Sequence, residues 1–462
     1  MKYNIKVTVT ILFGILIFSI FFFNKFYGFE YEDSFINPTI ALSNNYFDKI
    51  ENFRTSEYTK IINNIGYDKK LYPGHYMPYS FYLHSIQYFF NTKEFLIHKI
   101  GNCVLLMLSI VTILFHRKKT IDLKIIFILA LFCSLPFIYI INSALIENIS
   151  FFVGILLVTW IRYYVLKEKS FNYKAIAILL ILVISIIKRE NLIYILLIPF
   201  FLDIKDISNK KITLSILLFF IIQLFINPFF TEGIESNSLN KPTFDVEYML
   251  FQLPVYLKSL VSKEGFLLII LSMFFIKFNK KSIYLLLIWF CFILFYSIHY
   301  RSKYAIESKE ISIFETYRYL VNTLPVLYGV FIFSRIKNLK KYQIPLQLTF
   351  VFVSLIILLN SINIFSEFVN DENENYHRIN EKLIELNKKE KIRVYDNFIL
   401  ISILNFNKQN IDLLELNETS TIDKSKNTYI INRFNDYDMR NFKNIILIRE
   451  LSNKKTSVYK VI

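Results

Sequence analysis

This chain of 462 residues is short of what soluble enzymes are made from. Charged residues reach only 19%, against 54% hydrophobic, where an ordinary soluble domain runs to about a quarter charged. That excludes a soluble fold for most of the chain. Glycine is scarce as well: there are nine, and none falls in a GxGxxG or GxxxxGK[ST] pattern. A built-in dinucleotide fold or P-loop ATPase is thereby argued against. The three cysteines, Cys103, Cys133 and Cys291, lie in apolar blocks. They give neither a disulfide framework nor a zinc spacing. There is no internal repeat, which weighs against many transporter folds.

What is abundant is apolar sequence in blocks. A membrane helix needs about 20 such residues. The blocks predict an α-helical polytopic membrane protein with about eleven spans, near 5–23, 95–115, 124–142, 147–165, 175–188, 191–202, 212–229, 264–277, 283–299, 319–334 and 343–365. The pair 175–188 and 191–202 is broken by Lys188-Arg189-Glu190. Reading it as one kinked element would reverse the orientation of everything downstream.

A formal charge of +16 can signal nucleic acid. Its distribution says otherwise. Alternate gaps between the spans, starting with the N-terminus, hold twenty Lys and Arg against four acids, the whole of the excess. Lys118, Lys119, Arg162, Lys167, Lys280, Lys281, Arg335 and Lys337 are among them. The remainder is balanced, with 33 residues of each sign. This is the positive-inside pattern. It predicts a cytoplasmic N-terminus, an extracytoplasmic C-terminus and no nucleic-acid partner. The first span has basic flanks and no small-residue cleavage site, and so reads as a retained anchor.

Two large regions then fall outside the membrane. Residues 24–94 form a first outer loop rich in Tyr, Phe and His. Residues 366–462 form a tail with a charged helical stretch, Glu372 to Lys391, and strand-like runs at Ile392–Tyr395, Phe398–Leu404, Thr428–Ile431, Ile445–Ile448 and Ser457–Ile462. The expected domains are therefore 1–365, a transmembrane catalytic module, and 366–462, a small extracytoplasmic α/β domain. Smaller outer loops are expected at 230–263 and 300–318.

The chemistry-bearing residues gather on that outer side. Glu32-Asp33 follows the first span by about ten residues. Adjacent carboxylates among aromatics split their proton affinities, which suits a general base; the plain alternative is a solvated loop start. His75, in Tyr72-Pro73-Gly74-His75-Tyr76-Met77-Pro78-Tyr79, closes the first loop. It suits orienting a substrate or bonding a phosphate, or is simply a turn histidine. Lys188-Arg189-Glu190 is pinned between apolar runs, where ionisable groups are costly and default to function; snorkelling at an interfacial turn is the alternative. Arg318-Tyr319 opens a late span, where an Arg can clamp a phosphate or anchor at the interface. Glu147, in the short gap before the fourth span, is a further candidate. A carboxylate base with several cations suits transfer of a sugar from a polyprenyl phosphate. The phosphate leaves as an anion and needs positive charge, while the acceptor hydroxyl needs a base.

The arrangement resembles the GT-C membrane glycosyltransferases, in particular the polyprenyl-phosphate-sugar-dependent members similar to protein mannosyltransferases and the lipid A aminoarabinose transferase. The resemblance rests on Glu32-Asp33, on His75, Pro78, Tyr82-Leu83, Phe90-Asn91 and Glu94-Phe95 before the second span, on Glu147, on Lys188-Arg189-Glu190, and on Arg318-Tyr319 with Pro325. The order Glu-Asp departs from the usual Asp-first pair, Asn91 stands where Gly is usual, and Lys99 where Arg is usual. The resemblance implies an inverting enzyme with Asp33 as base and Glu32 as orienter or acceptor ligand. His75, Glu147, Lys188, Arg189, Glu190, Arg318 and Tyr319 would bind substrate or phosphate. The donor would be a polyprenyl-phosphate sugar, with no nucleotide sugar. No metal ligands are assigned, since metal dependence varies among branches. The acceptor would be a surface glycan, a lipid or a protein. A composition rich in Ile, Asn, Lys and Phe points to a bacterial cytoplasmic membrane. A polymerase or ligase of lipid-linked glycans is the alternative, expected to rely on outer-loop arginines and a His. A transporter or flippase would want ionisable residues inside its spans.

Overall fold

The computed structural model describes residues 5–22, 73–90, 96–115, 123–168, 171–202, 245–262, 265–299, 313–336, 343–373, 377–397, 411–416, 427–433, 438–453 and 456–462, with a few isolated positions besides. The chain divides into two compact units. The first comprises Met1–Phe22, Met77–Tyr79 and Lys99–Phe365, and the second Phe23–Tyr76, Ser80–His98 and Ser366–Ile462.

Helices dominate, as the apolar blocks require. In order they are α1 (Ile5–Phe22), α2 (Pro73–Phe90), α3 (Leu96–Phe115), α4 (Leu123–Phe132), α5 (Leu135–Asn142), α6 (Glu147–Trp160), α7 (Phe171–Ile187), α8 (Val246–Val261), α9 (Leu267–Met273), α10 (Lys280–Ile298), α11 (Ile313–Phe333), α12 (Gln343–Asn373) and α13 (Ile379–Lys389). Among the described residues, four helical stretches are long and apolar enough to cross a membrane: Ile97–Leu114, Glu147–Glu168, Lys280–Ile298 and Leu348–Asn370. Their outward faces are apolar, as at Phe290 on α10 and at Phe352, Ile356 and Leu359 on α12. Such faces suit hydrocarbon and are rarely left to water.

Four is fewer than the eleven the sequence predicts, and the reasons are local. The block 124–142 is not one helix. It breaks at Ser134, which is extended, because Pro136 has no N–H to continue the ladder. The block 264–277 yields only the seven residues of α9, about 10 Å of helix. It then turns into a two-residue strand β1 (Ile276–Lys277), paired antiparallel with β2 (Arg335–Ile336). The span predicted at 212–229 lies largely outside the described residues. Conversely, the outer loop predicted at 230–263 contains α8. Its Tyr248, Gln252, Tyr256 and Ser259 face inward while Val246, Leu250, Leu257 and Val261 face out. The inward polar groups lower its average hydropathy, so the run does not stand out as an apolar block.

The stretch from Lys188 to Phe200 resolves the broken pair. Arg189–Phe200 is a 3-10 helix of twelve residues, which at about 2.0 Å per residue reaches some 24 Å. It runs back alongside α11: Tyr194 donates to the Asn322 carbonyl at 3.0 Å, and Phe200 stacks edge-on against Phe333. Meanwhile α7 runs opposite to α6, with Trp160 bonded to the Tyr173 carbonyl near one end and Lys188 reaching Glu147 at the other. These are two elements of opposite direction, not one kinked element.

Contacts also fix the relation of α6 to α11. Glu147 meets Arg318, Gly154 faces Pro325, Val158 faces Gly329, and Thr159 bonds Tyr328. The two helices are parallel and in register. Helix α10 is antiparallel to α11 through Trp289–Thr323 and Tyr296–Tyr319. The bundle therefore has two distinct ends. One carries Arg162, Lys281 and Arg335, with Arg162 near the Ile332 carbonyl and the Asn279 side chain capping α10 while bonding the Phe333 carbonyl. The other carries Glu147, Lys188 and Arg318.

In the second unit, a five-stranded mixed sheet has the order β4-β3-β5-β7-β6. Strands β3 (Ile392–Asp396), β4 (Asp412–Glu415) and β5 (Asn427–Arg433) are parallel. Strands β6 (Ile445–Leu447) and β7 (Thr456–Val461) are antiparallel to each other, and β7 pairs antiparallel with β5. Ile379 and Leu383 of α13 pack on Ile392, Val394, Tyr429, Ile431 and Val458. Tyr395, Leu416, Ile430, Met439 and Val461 form a second cluster. Burial of both faces explains the near-continuous apolar run Tyr429-Ile430-Ile431. Of the expected strands, Phe398–Leu404 lies outside the described residues except Ser402, which is helical, and β4 has no counterpart in the sequence reading.

Candidate functional site

The end of the bundle opposite the basic one begins with a buried turn. Residues Asn142 to Glu147 join α5 to α6 and are all buried. A buried connection must satisfy its own backbone. Asn102 of α3 donates to the Ile141 and Ser143 carbonyls, both at 2.9 Å, and its own carbonyl accepts from Tyr79 at 2.8 Å. Asn148 donates to the carbonyls of Ile140, Ser143 and Leu145. Two amide side chains thus hold the turn and set Glu147 as the first residue of α6. A carboxylate is favoured there by the helix dipole.

Lys188 follows α7 in an extended conformation. The turn after it is fixed by Asn191, whose backbone N–H donates to the Lys188 carbonyl at 2.9 Å. The Asn191 side chain bonds the Ile184 carbonyl and the Ser150 hydroxyl. Arg318 stands in the second turn of α11. Both cations converge on one carboxylate oxygen: Lys188 Nζ lies 2.6 Å and Arg318 Nε 2.5 Å from Glu147 Oε1. Lys188 Nζ also sits 4.4 Å from the Tyr319 ring centroid, a cation–π distance, and Tyr319 packs against Tyr296. None of the three charged side chains is more than 4% exposed.

Burying three charges costs several kcal/mol each, and mutual attraction repays this only when every lone pair is met. Here it is not. Glu147 Oε2 has no hydrogen-bond partner among the described residues. The same is true of Asn191 Oδ1 and of both polar atoms of the Asn322 amide. The cluster carries a formal +1 across Glu147, Lys188 and Arg318. Its unmet atoms are suited to receiving a polar group at the end of an apolar bundle.

The structure brings together four of the residues singled out in the sequence: Glu147, Lys188, Arg318 and Tyr319. They come from three separate segments. Glu32 and Asp33 lie outside the described residues. His75 lies in the first turn of α2, not in an open turn, and nothing is described of its side chain. Arg189 and Glu190 open the 3-10 helix, again without described side chains. Lys99, noted as a departure from the family pattern, is buried in α3. Sequence reasoning missed Asn102, Asn148, Asn191 and Asn322. The last two carried a signal, since they follow Lys188 by three residues and Arg318 by four, which is helical spacing. Among the described residues no group of three or more His, Cys, Asp or Glu side chains has the geometry to hold a metal. No family model, no curated protein and no solved structure matches this chain.

Proposed function

We propose that the chain is a multi-pass membrane glycosyltransferase that moves a sugar from a polyprenyl-phosphate carrier to a surface glycan, lipid or protein acceptor. It works on the outer face of a bacterial cytoplasmic membrane with inversion at the anomeric carbon. The observation that supports this reading most is the convergence of Lys188 and Arg318 on Glu147, at the bundle end opposite the basic one. By the positive-inside rule that end faces outward.

In this mechanism Asp33, oriented by Glu32, takes the proton of the acceptor hydroxyl. The hydroxyl oxygen bonds to the anomeric carbon as the bond from that carbon to the phosphate oxygen breaks. The carrier leaves as polyprenyl phosphate, and its negative charge is met by Lys188 and Arg318, with Arg189, Tyr319 and His75 as further phosphate or substrate contacts. Glu147 holds the two cations in place, so that their charge is already positioned when the leaving group forms. Glu190 belongs to the same turn as Lys188.

The test is release of free undecaprenyl phosphate from a panel of carrier-linked sugars by purified protein in lipid, with acceptor extract supplied. Wild type should release it, and Asp33→Asn should abolish release with an unchanged melting temperature. Full activity in both Asp33→Asn and Glu32→Gln would sink the reading. A second reading, a transporter or flippase of a lipid-linked glycan, is favoured by one observation: the three charges at this end of the bundle are almost fully buried, as ionisable groups on a transport path are. It predicts movement of intact carrier-linked sugar between leaflets, undiminished in Asp33→Asn.

A further inference from the structure

The register of α6 and α11 has a consequence one helical turn beyond the ionic cluster. Arg318 stands opposite Glu147 and Pro325 opposite Gly154. Asn322, four residues after Arg318 and three before Pro325, therefore belongs to the stripe of α11 that faces α6, at the level of Ser150 and Phe151. Asn191 is at this level too, since its side chain bonds the Ser150 hydroxyl at 3.0 Å. Tyr194, next along the 3-10 helix, donates to the Asn322 carbonyl.

Glu147, Asn191 and Asn322 are at most 1% exposed, yet Glu147 Oε2, Asn191 Oδ1, Asn322 Oδ1 and Asn322 Nδ2 lack hydrogen-bond partners among the described residues. Buried polar groups in folded proteins are nearly always satisfied, so such a row calls for an occupant. Its chemistry can be read from the demand. Three acceptors and one donor need a group that both donates and accepts. A metal cation is disfavoured by Lys188 and Arg318 in the same cluster. An anion cannot donate to the three oxygens. Neutral hydroxyls meet the whole demand.

We propose that Glu147 Oε2, Asn191 and Asn322 form a hydroxyl-binding layer that recognises the sugar hydroxyls of the carrier-linked donor, with Asn322 as the residue that discriminates sugar-bearing from bare carrier. The identity of the hydroxyl source rests on the donor class proposed above. The competing source is internal water, which would satisfy the same atoms without regard to the donor.

The two sources separate in one experiment. Full-length wild type and Asn322→Leu, in lipid nanodiscs, are titrated with bare undecaprenyl phosphate and with undecaprenyl phosphate carrying glucose, mannose or galactose. Melting temperature is measured on the same samples. Wild type should prefer at least one sugar-bearing carrier by tenfold or more. Asn322→Leu should lose that preference while keeping its affinity for bare carrier, and should melt no lower than wild type. Asn322→Thr, a smaller change that keeps a hydroxyl, should fall between them. An unchanged preference in folded Asn322→Leu would overturn the layer and leave water as the occupant. Equal affinity of wild type for all four carriers would also overturn it, while leaving the donor class standing. Failure of wild type to bind any carrier would overturn the donor class and the layer together.

Discussion

Each unit of this chain buries a cluster of charge, and the two clusters are built differently. In the sheet unit, Arg433 at the end of β5 meets Asp396 at the end of β3. Arg433 Nε donates to both Asp396 oxygens at 3.1 and 3.0 Å, and Nη2 donates to Asp396 Oδ2 at 2.9 Å and to Asn380 at 2.7 Å. The Ser402 hydroxyl donates to the same carboxylate. Asn397 closes the rim by bonding the backbone N–H and carbonyl of Arg433. Neither carboxylate oxygen is left over. In the helix bundle, both cations crowd onto one oxygen of Glu147, and the other oxygen has no hydrogen-bond partner among the described residues. A closed network fixes two strand ends to each other. An open one keeps bonding capacity for something that arrives. Burial of charge does not tell the two clusters apart; the state of the second carboxylate oxygen does.

That contrast can be broken at several points. The largest effect is expected for Arg433→Ala. It strands Asp396 as an unpaired buried charge and should destabilise the sheet unit by about 3–5 kcal/mol. Thermal melting and limited proteolysis of the full-length protein would show it, and an unchanged melt would mean the closed network holds nothing. Gly154→Ala is expected to cost about 1–3 kcal/mol, because its methyl would meet Pro325 ring carbons at 2.7 and 2.8 Å and the Tyr194 hydroxyl at 2.9 Å. By wedging α6 from α11 it should also loosen the grip of Glu147 on Arg318 and, under the proposed function, slow carrier release. The smallest effect, about 1 kcal/mol, is expected for Asn279→Ala, which removes the capping box of α10 at the basic end. Its carrier release should match wild type. If it fell as far as in Gly154→Ala, the two ends of the bundle would not act independently.

The sequence made some of this architecture visible and hid the rest for physical reasons. Glu147, Lys188 and Arg318 stood out because a charge inside or beside an apolar block is costly, and cost makes a residue conspicuous. Their meeting on a single oxygen was not legible, because it depends on which helices run parallel and in what register. Asn191 and Asn322 were lost in hydropathy averages, where one amide among many aliphatic residues hardly registers. Helix α8 was hidden by Gln252 and Ser259 turned inward. The sheet was better marked, since β3, β5, β6 and β7 match short β-branched runs. Strand β4, with Asp412 and Glu415 flanking two leucines, offered too little apolar sequence to be seen.

The 3-10 helix from Arg189 to Phe200 carries a last consequence. With three residues per turn, side chains three apart eclipse one another. Asn191, Tyr194, Leu197 and Phe200 therefore form one straight rail from the polar end of the bundle toward the basic end, where the same residues in an α-helix would wind away from their partners. Such a rail has its own rule of tolerance to length change. Losing or gaining a single residue rotates everything beyond it by about a third of a turn and faces the wrong side chains to α11. Losing three keeps the line intact and only shortens it, by about 6 Å. In this stretch of chain, evolution can step without derailment only in threes.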